Sequence, residues 1–212
     1  RRGYRLRIVF VAVLVAVLAG CTSQSDDQPP IIAPQGPGEQ AKTLAPEEFG
    51  TDRWVAPSQA DLDYVARMIV HHRQALEMTA LAPERAQNET VRGLASRIHD
   101  TQGPEIAAME QWQRQYAENA PAHGHSGELP EVDHASMPGM ATDEQLAALK
   151  AARGADFDRL FLQLMIAHHE GAVRMAVDVL STGRDVRVEE MANDVSVSQT
   201  DEIDRMRAIT IP

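Results

Sequence analysis

The feature that most constrains this chain is a gapless internal duplication. Met68-Ile69-Val70-His71-His72 returns as Met165-Ile166-Ala167-His168-His169, and Ala75 and Met78 recur in register as Ala172 and Met175. Val91, Ala95, Gln102, Glu105, Ile106 and Met109 recur as Val188, Ala192, Gln199, Glu202, Ile203 and Met206. All these matches share one offset of about 97 residues, and roughly a quarter of the positions from Asp61 to Trp112 equal their counterparts. Chance matching does not hold register over so long a stretch. The same local structure must therefore form twice and pack against itself.

That local structure is helical. Successive residues of an α-helix turn by about 100°, which puts Met68, His71, His72, Ala75 and Met78 on one stripe of roughly 120°. Val65, Met68, Ile69, His72, Ala75, Leu76 and Thr79 follow the same period. The first helix is expected from Gln59 to Leu81, opened by Ser58 with Asp61 three residues on. Pro83 makes continuation costly. The second is expected from Asn88 to Tyr116, kinked at Gly103-Pro104. Thr142 and Gln145 cap a short helix that reaches Ala152, and Gly154 marks a turn. A long helix from Asp156 to Leu180 carries the second histidine pair, with Ser181-Thr182-Gly183 as its C-cap. The last helix spans Asp185 to Ala208. Two duplicated helical hairpins predict an all-α, antiparallel four-helix bundle. Its repeats are 58–119 and 142–212, joined by a loop rich in His and Met. Aromatic residues make up only 4% of the chain, which fits packed helices better than a β-sandwich.

The start of the chain reads as an export signal. Arg1, Arg2, Arg5 and Arg7 precede the apolar run Ile8 to Ala19, too short to span a membrane comfortably. Leu18-Ala19-Gly20-Cys21 matches the bacterial lipobox, in which the cysteine becomes the lipidated first residue. Residues 1–20 are thus expected as a lipoprotein signal peptide, and Cys21 as an acylated anchor on the extracytoplasmic side of the cell membrane. Cys21 is the only cysteine, so no disulfide and no cysteine metal site can form. Residues 21–57, rich in Pro, Gln, Ser and Asp, read as a disordered linker that holds the domain 58–212 off the membrane. Formal net charge is -11; without the four leader arginines, 16 basic residues face 31 acidic ones. An acidic chain repels phosphate backbones, so nucleic acid is not an expected partner. Nothing in the sequence names a protein partner.

The two Met-Ile-x-His-His-x-x-Ala-x-x-Met segments, the two Gln-x-x-Glu-Ile-x-x-Met segments and Met137-Pro-Gly-Met140 resemble the domain-of-unknown-function family 305. The resemblance covers about Ser58 to Ile209. It implies a ferritin-like four-helix bundle in an exported protein, and several members of the family are associated with copper binding or tolerance. The motif residues that carry over are His71, His72, His168 and His169, with Met68, Met78, Met165 and Met175. Gln102, Glu105, Gln199 and Glu202 carry over as groups that would orient the histidines. Met137 and Met140 match the family's Met-rich segment, whereas His123 and His125 fall where the family varies.

Imidazole and thioether together make a soft-to-borderline donor set, suited to Cu(I) and, through imidazole alone, to Cu(II) or Zn(II). Copper is therefore expected ahead of zinc. A flexible site would use His123, His125, His134, Met137 and Met140; a rigid one would use the helical pairs, oriented by Glu105 and Glu202. The rigid site is expected to lose affinity below the ordinary histidine pKa of roughly 6.5. The alternative is a non-metal structural or interaction module of the cell envelope, its acidic surface docking a membrane or envelope partner and its core a polar layer in which each histidine donates to Glu105 or Glu202 and accepts from Gln102 or Gln199, with core methionines as gap-fillers. A third alternative is a metal-dependent enzyme, but no catalytic constellation supports it. The only Glu-x-x-His is Glu131 to His134, in a Pro-rich loop, and His169-Glu170 lacks the second histidine of a zincin motif.

Overall fold

The computed structural model describes residues 31–33, 40, 42–44, 56–119 and 137–212. The signal peptide, Cys21, His123, His125 and His134 lie outside the described residues. The chain divides into two units, Arg1–Arg53 and Trp54–Pro212.

In the first unit, β1 (Ile31–Ala33) pairs antiparallel with β2 (Lys42–Leu44), Ile31 opposite Leu44 and Ile32 opposite Thr43. The stretch expected to lack regular structure therefore carries a short two-stranded ladder.

The described residues of the second unit are all-α. They form α1 (Gln59–Thr79), α2 (Ala82–Arg85), α3 (Glu89–Asn119), α4 (Asp143–Ala151), α5 (Gly154–Thr182) and α6 (Val186–Arg207). No helix among them is long and apolar enough to cross a membrane. The expected caps form. Ser58 and Asp61 close a capping box on α1, and Thr142 and Gln145 do so on α4. α2 was not expected; it is a single turn with Pro83 in its second position, where the missing N–H costs nothing. α3 runs through Pro104. Gly183 does close α5, but at φ -73°, not in the left-handed region expected of a glycine cap. A side chain there would meet the Asp61 carboxylate at 2.3 Å, so glycine is required by space and not by backbone angle.

Asp61 and its counterpart Asp158 tie the two repeats together. The Asp61 carboxylate accepts the Arg184 backbone N–H, from the α5–α6 turn, at 3.2 Å. Asp158 accepts the backbone N–H groups of Gln87 and Asn88, ahead of α3, at 3.2 and 2.8 Å. Each repeat thus satisfies the turn of the other, and the two buried carboxylates obtain the charge-assisted bonds that burial demands.

The apolar core is split. One cluster gathers Met78, Leu94, Ile98, Phe157, Phe161, Met165 and Met206. The other gathers Val65, Met68, Met109, Ala172, Met175, Val179 and Val195. α1 and α6 run from the second cluster to the first, while α3 and α5 run the opposite way. On every long helix the crossing point is polar: His71 and His72 on α1, Gln102 on α3, His168 and His169 on α5, Gln199 on α6. The duplication therefore builds a buried polar layer across the middle of this unit.

Candidate functional site

All four paired histidines are fully buried, at 0% exposure. Each offers Nε2 to a defined acceptor. His72 meets Glu105 Oε2 at 2.8 Å and His169 meets Glu202 Oε2 at 2.8 Å, the same contact repeated by the duplication. Both carboxylates keep a solvent edge, at 22% and 15% side-chain exposure. His168 meets the backbone oxygen of His71 at 2.9 Å. His71 meets the backbone oxygen of Pro138 at 3.0 Å. A carbonyl can only accept, so Nε2 of His71 and His168 must carry the proton. In a neutral ring, Nδ1 then holds the lone pair.

None of the four Nδ1 atoms has a hydrogen-bond partner. The amide N and O of Gln102 and Gln199, both buried, likewise have none. The expectation that these glutamines bond to the histidines is corrected: the amides stand in the same layer and touch no polar partner. A buried lone pair left unbound costs about 1–3 kcal/mol, so four imidazoles together approach the whole stability of a domain, roughly 5–15 kcal/mol. Such a layer favours any guest able to bind those lone pairs.

The rings of His71 and His168 lie 3.8 Å apart between centroids, tilted by 35°. Burial and the neighbouring imidazoles hold both below the ordinary histidine range. For His71 burial pushes the pKa down to about 3, with the Pro138 bond acting the other way. For His168 burial acts first and the three other histidines add to it. The titration near 6.5 expected of the pairs therefore does not apply to these two. They are neutral, as a metal ligand must be, far into acid.

Met68, Met78, Met165 and Met175 are buried, one cluster holding Met68 and Met175 and the other Met78 and Met165. They flank the polar layer instead of joining one thioether group. Met137 is buried and Met140 half-buried. Among the described residues no three His, Cys, Asp or Glu side chains converge on one metal position. The layer thus pairs donors and does not prebuild a four-ligand cage.

Sequence reasoning missed two contributions. One is Tyr64, whose buried hydroxyl lacks a partner and whose pKa is raised by burial and by the charge of Glu105. Its counterpart in the second repeat is Phe161, and that difference was the available signal. The other is the seat of Met137–Ala141 on α1 and α5, signalled only by the mismatch of Gln74 with Gly171.

The sequence profile of the domain of unknown function DUF305 matches residues 61–210. No curated protein matches the chain. Among solved structures, a DUF305 fragment from Deinococcus radiodurans is 34% identical with a TM-score of 0.62, over 72% of this chain and 96% of that one. A DUF305 protein from Streptomyces coelicolor, designated as secreted, is 33% identical with a TM-score of 0.60, over 69% of this chain and 88% of that one. CopM in its Cu(I)-bound form is 28% identical with a TM-score of 0.56, over 69% of this chain and 92% of that one. CopM is also solved with Cu(II), with silver and in the apo form. The doubled His-His and Gln-x-x-Glu signatures and the profile agree, and the chain belongs to the DUF305 family.

Proposed function

We propose that this protein is an exported, lipid-anchored copper-binding protein that sequesters the metal, or confers tolerance to it, at the cell envelope. In this reading its long helices form an antiparallel, ferritin-like bundle. The observation that carries the metal reading is the set of four buried imidazoles with Nε2 fixed on a carboxylate or carbonyl and Nδ1 unpartnered. Metal-bound histidine ordinarily has this form, because the acceptor at one nitrogen sets the tautomer and raises the basicity of the other. His71, His72, His168 and His169 would supply the donors in pairs, not four to one ion. Glu105, Glu202 and the carbonyls of Pro138 and His71 would orient the rings.

Two considerations favour copper over zinc. An all-protein zinc site takes four ligands, and the described residues do not converge in that number. Cu(I) accepts fewer and softer donors. CopM, solved with Cu(I), Cu(II) and silver, supports the same choice, and the secreted Streptomyces relative supports an extracytoplasmic location. His123, His125, His134, Met137 and Met140 would form a second, loop-borne site, and Cys21 the anchor.

Anaerobic titration of the full chain with Cu(I) in competition with a chromophoric chelator tests this. Binding tighter than micromolar at pH 7, lost on replacing His71 and His168, is the expected result. A chain that holds neither Cu(I) nor Ag(I) tighter than millimolar would leave the layer a structural polar core.

A further inference from the structure

We propose that the segment Met137–Ala141 is a gate over the His71–His168 ring pair, latched by Gln74, and that Cu(I) or Ag(I) reaches the pair only when this segment lifts. The proposal rests on the copper reading and adds the route of entry and the contact that sets its rate.

The starting point is burial. His71 and His168 expose nothing to solvent, so an ion cannot reach their Nδ1 atoms unless some part of the wall moves. The long helices are fixed by two apolar clusters and by the reciprocal Asp61 and Asp158 bonds. The Met137–Ala141 segment buries only Met137 and Ala141, the latter at the edge of the first cluster, and is otherwise held by polar and backbone contacts. It touches His71 through one carbonyl, that of Pro138. It then lies backbone against backbone on α5. A Cβ on Gly171 would sit 1.9 Å from the Pro138 oxygen, and one on Gly139 would sit 2.3 Å from the Ala167 oxygen. Gly139 also adopts φ 80°, which other residues reach only with strain. Two glycines thus make the seat.

At the opposite edge, where Ala141 meets the first cluster, Gln74 adds two hydrogen bonds. Gln74 Nε2–H donates to the Ala141 oxygen at 2.9 Å, and Gln74 Oε1 accepts the Ala141 N–H at 2.7 Å. Gln74 and Gly171 are the same position of the duplicated unit. The duplication has diverged there so that one copy makes room for the segment and the other grips it. Beyond the latch lies an open hollow of about 670 Å³, lined by Gln74, Glu77, Met140, Ala141, Asp143 and Glu144. The segment therefore stands between that hollow and the ring pair, with Met140 and Ala141 lining the hollow.

The His71–Pro138 bond couples the gate to its cargo. An ion on Nδ1 draws electron density from the ring and makes Nε2–H a stronger donor to the Pro138 carbonyl. Loading therefore favours the closed gate, and by linkage the closed gate favours loading.

The test uses the full chain. Transfer of Cu(I) to bicinchoninate is followed by anaerobic stopped flow, and imidazole C2–H deuterium exchange is followed by mass spectrometry without metal. Gln74→Ala removes both latch bonds and no imidazole contact. It should speed transfer by at least about 10-fold and speed exchange at His71 and His168. Exchange at His99, exposed on α3, should not change. Gly171→Ala displaces the segment from the other side and should act in the same direction. Gln74→Glu, which keeps the bond to the Ala141 N–H, should fall between. Exchange at His71 at the wild-type rate in all three variants refutes the gate, even where copper binds. A wild-type chain that takes up no Cu(I) fails the copper reading instead, and the gate loses its cargo with it; the metal-free exchange tells the two failures apart.

Discussion

Acid should unfold the metal-free domain through two residues. His71 has its pKa lowered from 6.5 to about 3 in the folded state, and His168 is shifted in the same direction by burial. The unfolded chain regains the ordinary value, so between these limits it binds protons that the folded chain refuses. Stability then rises with pH, is fully present above the unfolded pKa, and is lost as pH falls below 6.5 toward the folded value. From pH 7 to pH 5 a group with the two values of His71 loses about 2 kcal/mol, and His168, shifted in the same direction, adds to that loss. Glu144, whose pKa is lowered by its own backbone and by Thr142, acts below that window. Urea unfolding with the metal removed, followed by circular dichroism, should show the midpoint falling by at least about 1 M between pH 7 and pH 5 at an m-value near 2 kcal/mol/M. His168→Gln should make the pH dependence shallower. A midpoint that moves by less than about 0.3 M across this range would show that the rings are not held neutral, and the argument from burial would be wrong.

Four further outcomes are expected. Asp158→Ala strips two backbone N–H groups of their acceptor and should cost about 2–4 kcal/mol in chemical denaturation; Asp61→Ala should cost a similar amount if the repeats cap each other reciprocally. Gly139→Ala places a methyl against the Ala167 oxygen at positive φ and should lower stability by about 2 kcal/mol or more, which a thermal scan reads directly. Glu105→Gln and Glu202→Gln should each weaken Cu(I) binding by about 10- to 100-fold in chelator competition, leaving the helical content unchanged. Cys21→Ser should release the protein from the membrane fraction and change its processing; equal membrane association in the variant would sink the lipid anchor.

The parts of this structure legible in sequence are those whose cause is local. Ser58 with Asp61 and Thr142 with Gln145 form capping boxes because residues three apart face each other at a helix start. The stripe of Met68, His71, His72, Ala75 and Met78 is buried because helical period decides which residues share a face. The reach of Glu105 to His72 was legible once the duplication was seen, since Glu202 and His169 repeat it. What escaped depends on distances across the chain. Neither α2 nor the β1–β2 ladder has a periodic signal, each being too short to show one. The glutamines were given histidine partners because their chemistry allowed it, but both amides stand without one. The histidines were assigned an ordinary pKa because sequence shows that a ring is on an inner face and not how completely it is sealed.

The duplication explains why the sealed pair is asymmetric. Perfect two-fold symmetry would have His71 and His168 each donate to the backbone of the other. His168 does so, on the His71 carbonyl, whereas His71 donates to Pro138. The connection between the repeats exists once, so it can enter the two-fold arrangement on one side only, and it displaces one of two equivalent bonds. Divergence follows the same line. Gln74 and Gly171 differ where the connection docks, and Tyr64 and Phe161 differ at the Glu105 end of the layer. Arg73 with Glu110 and Glu170 with Arg207 keep the same bridge with its charges exchanged, so position is preserved where only pairing matters. The histidines and their two glutamates are identical in both copies because both halves of the layer need the same donors; the residues around them differ because only one half meets the connecting segment. A chain in which Gly171 was made Gln and Gln74 made Gly would therefore lose its seat for Pro138-Gly139 on α5 while keeping every imidazole, and its ring pair should exchange with solvent faster at unchanged helical content.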